Sequence, residues 1–538
     1  MPSEKEYIVT VKKGVNWEEV HNELTTNTAG SETIPDRIVD VVNLRNINER
    51  NTHYALTDEE SAALRNDSRI AAVIDPTTRK FKKIAFQEGN FNKTYTATGE
   101  QQNWGMLRHL STTNNYGTST GDPGGTYDYV LDGTGVDIVV IDTGIQADHP
   151  EWQDANGVSR LQQIDWYSAS GVAGSQNANH YRDYDGHGTH VTGTVAGKTF
   201  GWAKNARIYN IKLADLEGPG DTGTGIPATD VLDVLLGWHN NKAGSRPTVA
   251  NASFGYQILL NANVSPNTIV DGNGNPVATI TGGSYRGVPH ALTTRAALSS
   301  KGLSDGQSAG NGYYIYVAYD AATDADMDQI ADAGGIGAVA SGNTTQKIDV
   351  FGGLDYDNYL TLSADYFGDG SFRWYYNRGG SPGFGTNPGF LVGALSNVSY
   401  SSTLDRKASF SCGGPGVNIY TAGEAVHSAM SSTYDSSAYR SIYLPQPYYL
   451  NNSFKQAKVG GTSMASPQVA GMIACLLQAH PTWTPGQVMN WFQNNAQDKM
   501  YASGVDNDYS NAYSIWGGTQ RVAYFPLNGQ KTFNYTAS

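Results

Sequence analysis

One stretch constrains this chain more than any other: Gly460-Gly461-Thr462-Ser463-Met464-Ala465-Ser466-Pro467-Gln468-Val469-Ala470-Gly471. Its paired glycines open backbone conformations closed to other residues. The apolar run Met472-Ile473-Ala474-Cys475-Leu476-Leu477 follows, which predicts a helix starting near Ser463. Pro467 is expected early in that helix, where a missing N–H costs nothing because first-turn amides lack intrahelical partners. Ser463 then stands at a helix N-terminus, where free amides and the helix dipole favour developing negative charge. A nucleophilic serine that passes through an oxyanion needs such a position. A serine that only caps a buried helix occupies it as well, so the decision rests on the remainder of the chain.

At 538 residues the chain is long for one domain and points to a large core with an accessory unit. No apolar run is long enough to cross a membrane. A net charge of −14 argues against a nucleic-acid footprint and fits a soluble, acidic protein. Two cysteines, Cys412 and Cys475, build no disulfide framework; they form one bridge or remain two buried thiols. The first residues, Met1-Pro2-Ser3-Glu4-Lys5-Glu6, are polar, so no secretory signal peptide is expected. That leaves a cytoplasmic, particle-associated or otherwise exported protein.

Residues 6 to 76 read as a small α+β unit. Tyr7-Ile8-Val9-Thr10-Val11 predicts a strand, and Trp17 to Leu24 has helical spacing. Ile38 to Val42 and Thr52 to Leu56 predict two more strands. Thr57-Asp58-Glu59-Glu60 begins a second helix with a cap and first-turn acids, and Ile70 to Ile74 closes the set as a strand. The order β-α-β-β-α-β is the split βαβ, ferredoxin-like pattern. Alone it implies no activity, and a binding or dimerisation module fits it too. The basic run Thr77-Thr78-Arg79-Lys80-Phe81-Lys82-Lys83 then opens a linker reaching about residue 104.

Farther on, Val136-Asp137-Ile138-Val139-Val140-Ile141 predicts a strand of a parallel sheet covered on both faces. It ends at Asp142-Thr143-Gly144, a carboxylate where α/β sheets place their sites. Apolar-apolar-Asp-Thr-Gly also opens aspartic protease sites, but the second copy, Asp221-Thr222-Gly223, follows Glu217-Gly218-Pro219-Gly220 and reads as a turn. In Asp185-Gly186-His187-Gly188-Thr189-His190, His187 follows a Gly turn and is the candidate general base for a serine. His190 is expected to be structural. A zinc pair at these histidines lacks a third ligand, and Gly193 to Thr199 is one residue short of a phosphate-binding loop.

Asp142-Thr143-Gly144, His187-Gly188-Thr189-His190 and Gly461-Thr462-Ser463-Met464-Ala465-Ser466-Pro467 together resemble the Asp, His, Ser blocks of the subtilases, in that family's order. Gly193 to Ala203 is similar to the proteinase K branch. Trp104-Gly105-Met106-Leu107-Arg108 resembles the start of mature subtilases. Ala55 to Glu60 and Ile70 to Val73 resemble the inhibitor-type propeptide. The resemblance implies a doubly wound, mostly parallel α/β sheet preceded by an α+β ferredoxin-like propeptide. It implies serine endopeptidase activity through an acyl-enzyme, made as a self-inhibited zymogen that processes itself.

Domain bounds follow from it: 1–78 propeptide, 79–103 linker with the processing site, 104–538 peptidase with insertions near 256–322 and 354–384. Catalytic roles are implied for Asp142, His187 and Ser463, with Asn343 of Gly342-Asn343 as oxyanion donor. Ser308-Ala309-Gly310-Asn311 imitates that last motif but lacks an apolar strand before it. Asn251-Ala252-Ser253-Phe254-Gly255 matches the substrate-pairing segment, so Ser253, Phe254, Gly255, Ser341 and Gly342 are implied to bind substrate. The implied partners are protein or peptide substrates and the chain's own propeptide, with no nucleic acid and no membrane. No cofactor is required. The resemblance to the proteinase K branch implies a structural calcium, but Asn418 stands where that branch has an aspartate ligand. Asp324-x-Asp326-x-Asp328 lacks the glycine and glutamate of an EF-hand and reads as helix N-terminal acids. The insertions are rich in Gly, Asn and Tyr and carry no motif; within them, Pro266-Asn267 and Asp271-Gly272-Asn273-Gly274-Asn275-Pro276 suggest hairpins or surface loops. The rival from another class is a catalytically silent scaffold or binding protein on a subtilase fold.

Overall fold

The computed structural model describes residues 4–26, 35–44, 50–76, 81–83, 104–114, 129–217, 222–261, 268–271, 273–303, 313–383, 388–433, 445–502 and 506–527. The strand Asp137–Asp142 is buried along its whole length. Its residues alternate between two apolar cores. Ile138 and Val140 join one, with Val191 and Val195 of helix His187–Ala196 and the apolar residues of helix Thr462–Ala479. Val139 and Ile141 join the other, with residues of helices Val231–Asn241 and Ala321–Asp332. Burial on both faces explains why the strand carries a continuous apolar run rather than an alternating one.

Asp137–Asp142 pairs with Arg207–Lys212 on one side and Thr248–Ala252 on the other, both in parallel. From Thr248–Ala252 the sheet continues through Ile336–Ala340, Phe390–Leu395, Ile419–Ala422 and Arg521–Val522, to an antiparallel edge at Gln497–Asp498. The chain thus winds one way from its first strand and then the other. Sheets of this kind open a crevice at the carboxyl ends of the strands where the order reverses. Asp142 lies there. A doubly wound, mostly parallel α/β sheet was expected, and it is found.

Near the N-terminus, Lys5–Val11, Trp17–Thr26, Val41–Asn43, Asn51–Leu56, Asp58–Leu64 and Ile70–Ile74 follow one another as β-α-β-β-α-β. Their antiparallel sheet runs in the order Val41–Asn43, Asn51–Leu56, Lys5–Val11, Ile70–Ile74. Thr57 and Glu60 form the expected reciprocal cap. The second strand is shorter than the Ile38 to Val42 expected, because the Val39 N–H donates to the Leu24 carbonyl instead of to a strand. This unit rests on helix Ala321–Asp332 through Asn51 to Asp326 and Lys13 to Asp332, while Arg65 donates to the Gly368 carbonyl at 2.6 Å.

Three expectations are corrected. Pro467 lies inside helix Thr462–Ala479 rather than in its first turn. Of the three aspartates at 324, 326 and 328, only Asp324 is in the first turn of its helix. The insertions are not mainly surface loops. They build a second, antiparallel sheet in the order Tyr313–Val317, Phe254–Asn261, Thr268–Val270, Pro276–Tyr285, Tyr359–Leu362, Arg373–Tyr375. Its inward residues, such as Ile258, Ile280 and Leu360, are fully buried. The expected hairpin at Asp271 to Pro276 is present, with Asp271 Oδ1 accepting from the amides of Asn273 and Asn275. The segments 308–311 and 266–267 lie outside the described residues, as does Asp221 of the second Asp-Thr-Gly. Cys412 and Cys475 are buried free thiols. No helix among the described residues is long and apolar enough to cross a membrane.

Burial pushes the Asp324 carboxyl up from its ordinary 3.8 to about 8, against donors from Ser381 and Gly383 and with Asp320 and Asp328 adding to the rise. Its folded value exceeds the unfolded one. The protonated form therefore contributes stability that is complete below about pH 4 and is lost as pH rises toward 8. In full-length Ser463→Ala protein, Asp324→Asn is expected to flatten that loss by up to about 1.4 kcal/mol per pH unit. Thermal or urea unfolding at several pH values between 4 and 8 measures it; parallel curves for both proteins would refute it.

Candidate active site

Asp142 ends its strand and is completely buried. Its Oδ1 accepts from the Thr143 N–H at 2.8 Å and lies 2.7 Å from His187 Nδ1. The carboxylate accepts, so Nδ1 carries the imidazole proton and Nε2 keeps a lone pair able to take another. His187 is the first residue of helix His187–Ala196, entered through Gly186 at φ 93°. Residues with a Cβ rarely adopt that left-handed conformation, so the turn that delivers the histidine requires a glycine there.

Asp183 locks this corner. It accepts from Thr143 Oγ1 at 2.8 Å, the Gly186 N–H at 2.8 Å, the Thr189 N–H at 2.8 Å and Thr189 Oγ1 at 2.6 Å. Thr143 Oγ1 in turn accepts from the Gly188 N–H at 2.8 Å. One carboxylate thus joins the turn after Asp142 to the first turn of the His187 helix. The sequence alone does not mark it. Its nearest signal was an acid two residues before Asp185-Gly186-His187, but the partner that gives it meaning, Thr143, is 40 residues away.

Ser463 is buried in the first turn of helix Thr462–Ala479, and its Oγ donates to the Ser253 carbonyl at 3.0 Å. The bond is returned: Ser253 Oγ donates to the Ser463 carbonyl at 2.9 Å. Pro467 explains why that carbonyl is available. It stands four residues beyond Ser463 and has no N–H, so the normal helical bond back to residue 463 cannot form. Ser253 Oγ also lies 3.0 Å from Ser466 Oγ and receives Asn251 Nδ2 at 2.9 Å.

Asn343 follows strand Ile336–Ala340 at the same end of the sheet. Its Oδ1 accepts from the N–H of Thr462 at 2.8 Å and from Thr462 Oγ1 at 2.9 Å. Both donors set the flip of the amide and turn its Nδ2 away from Thr462. Gly342, at φ 111°, donates its N–H to Thr462 Oγ1 at 3.1 Å, and a Cβ there would meet Val317 Cγ1 at 2.5 Å. Ser341 is buried, its amide held by the Val392 carbonyl at 3.0 Å. Phe254 and Gly255 begin strand Phe254–Asn261, on which the short strand Phe81–Lys83 lies antiparallel, Lys82 facing Gly255. The expected residues therefore meet as one buried pair, Asp142 with His187, and one linked group, Ser463 with Ser253, Asn343 and Gly342. Both stand at the carboxyl ends of neighbouring parallel strands.

His190 is structural: its buried Nε2 lies 3.1 Å from the Val426 carbonyl, and burial pushes its pKa down to about 3. Asn418 spends its side-chain oxygen on the Leu391 N–H at 2.6 Å. Among the described residues no group of three or more His, Cys, Asp or Glu is placed to hold a metal ion.

Residues 133–513 match the model of the subtilase family. The chain belongs to that family. It is similar to a cuticle-degrading serine protease of Orbilia oligospora, with 32% identity over 189 residues covering 33% of this chain and 40% of that one. It is also similar to proteinase R of Parengyodontium album, with 34% identity over 161 residues covering 29% and 34% of the two chains. This subtilase therefore spans well under two thirds of the length of these curated relatives. Fervidolysin from Fervidobacterium pennivorans, a keratinolytic enzyme related to subtilisin, shares its fold. Their TM-score is 0.50 at 16% identity, covering 97% of this chain and 60% of that one.

In this subtilase Asp183→Asn presents an NH2 to at least one of the four donors that Asp183 now satisfies. It is expected to cost about 2–4 kcal/mol of stability and to lower kcat more than it raises KM, since it disturbs the Asp142–His187 pair. Unfolding in urea beside steady-state kinetics checks both. Unchanged stability would mean the node is dispensable.

Proposed function

We propose that this subtilase is a serine endopeptidase acting through an acyl-enzyme. Ser463 attacks the peptide carbonyl, His187 takes the proton at Nε2 and later returns it to the leaving amine, and Asp142 holds the imidazole tautomer and balances its charge. The observation that carries this reading is the fully buried 2.7 Å contact of Asp142 with His187 beside the N-terminus that bears Ser463. In this mechanism the hydroxyl leaves the Ser253 carbonyl and turns to His187. The Asn343 amide and the Ser463 N–H meet the oxyanion. Ser253, Phe254, Gly255, Ser341 and Gly342 hold the substrate main chain as an added strand. The roles follow those of the family's triad, and no step calls for a cofactor.

The reading extends to a self-inhibited zymogen. Residues 1–78 form a ferredoxin-like propeptide, 79–103 a linker with the processing site, and 104–538 the peptidase domain. Support comes from Phe81–Lys83, which occupies the edge that an extended substrate would use, beside the turn Ala214–Leu216. The substrates are proteins or peptides, and the propeptide is an intramolecular inhibitor.

Intact mass and N-terminal sequencing of wild type beside Ser463→Ala test the reading. Wild type alone is expected to show a new terminus within a few residues after Lys83. If both chains stay whole and a fluorophosphonate probe fails to label Ser463, the protein is a silent scaffold. Asn343→Leu is expected to lower kcat about a hundred- to thousandfold with little change in KM, the size known for the matching donor of subtilisin rather than one obtained from this geometry. Wild-type kcat in that variant would remove Asn343 from the mechanism.

A further inference from the structure

The strand Phe254–Asn261 has two edges. On one, Tyr313–Val317 pairs with residues Gln257 to Asn261, and the line continues past Tyr256, whose carbonyl accepts from Ala318 at 3.0 Å and whose N–H donates to Ser381 at 2.9 Å. Thr268–Val270 lies on the opposite edge, with Val270 facing Leu259 and Ile269 facing Leu260. Phe81–Lys83 faces Tyr256, Gly255 and Phe254. Because both backbone groups of Tyr256 are committed to the first edge, Phe81–Lys83 must lie on the second. It is collinear with Thr268–Val270. The edge offered to an extended chain is therefore closed at Leu259 by a strand of the protein's own insertion.

We propose that Thr268–Val270 is a stop on the substrate edge, a specificity element that ends main-chain pairing on the N-terminal side of the scissile bond. This rests on the peptidase reading above. Ser463 Oγ sits on the Ser253 carbonyl, so the residue donating the scissile carbonyl faces Ser253. Pairing can run no farther than Ile258, six positions from Ser253 through Ile258. Beyond them a bound chain must turn away from the sheet. The stop is firm, because Ile269, Val270 and Ile280 of the same hairpin are 0 to 1% exposed and Pro276–Tyr285 braces it from behind. The substrates so selected are chain ends and protruding loops. A long strand that stays extended past the sixth residue is excluded.

The test uses purified wild-type protein and quenched-fluorescent peptides that share one C-terminal half and carry from two to ten residues before the scissile bond. kcat/KM is expected to rise with each addition up to the sixth residue and to stay level from there to the tenth. Backbone alternation directs Gly255 and Gln257 to the substrate edge. N-methylation of the third residue, opposite Gly255, is therefore expected to lower kcat/KM about five- to tenfold. N-methylation of the seventh or ninth residue is expected to leave it unchanged. A rate still rising past the sixth residue, or an equal penalty at the seventh or ninth, would overturn the stop while leaving the peptidase reading intact. No cleavage at any length would overturn both.

Discussion

Pro467 takes one backbone donor out of the interior of the buried helix Thr462–Ala479, and the edge that carries Ser463 is arranged around the carbonyl this releases. A buried carbonyl left unbonded costs about 1–3 kcal/mol. Ser253 supplies the missing donor from the neighbouring strand and, through its own carbonyl, receives the Ser463 hydroxyl. The exchange fixes the helix N-terminus against the strand segment at Ser253 at both ends of one residue. Thr462 completes the fixing on the other side, because its N–H and hydroxyl both reach Asn343. The positions of Ser463, Ser253 and Asn343, the proposed nucleophile, substrate-pairing residue and oxyanion donor, are thus one mechanical problem with one solution.

The second half of the site depends on a charge rather than on a missing donor. Asp183 gathers Thr143, Gly186 and Thr189, and so holds the strand end bearing Asp142 against the helix bearing His187. Both halves stand at the carboxyl ends of adjacent parallel strands, where the order of winding reverses. Elements far apart in the chain converge there because the strand ends, with their turns, are the only parts of such a sheet that helices do not cover.

The insertions change what this scaffold can accept. Phe254–Asn261 is at once the continuation of a core strand and a member of a second, eight-stranded sheet. A surface loop at the same place could be pushed aside by a long substrate. A strand whose side chains enter the apolar core of the insertion cannot, since moving it would expose residues such as Ile269 and Ile280. Cleft length is therefore tied to the stability of the insertion itself.

Much of this protein was determined by local sequence. Val136 to Ile141 could only be a strand buried on both faces. Gly186 before His187 and the glycines before Ser463 announced their turns, and Thr57 with Glu60 announced its cap, because turns and caps depend on residues a few positions apart. The rest was decided by tertiary structure. Pro467 read as a first-turn proline, yet it lies inside its helix, and only the approach of Ser253 from 210 residues away makes that tolerable. Asp183 looked like an ordinary loop acid until Thr143 met it. The aspartates of Ala321–Asp332 read as helix N-terminal acids, whereas Asp326 serves Asn51 of the N-terminal unit. The insertions, rich in Gly, Asn and Tyr, carried loop composition and formed a sheet. Their strands gain stability by pairing with an edge that exists only once the core sheet has placed Phe254–Asn261, and no local pattern encodes that.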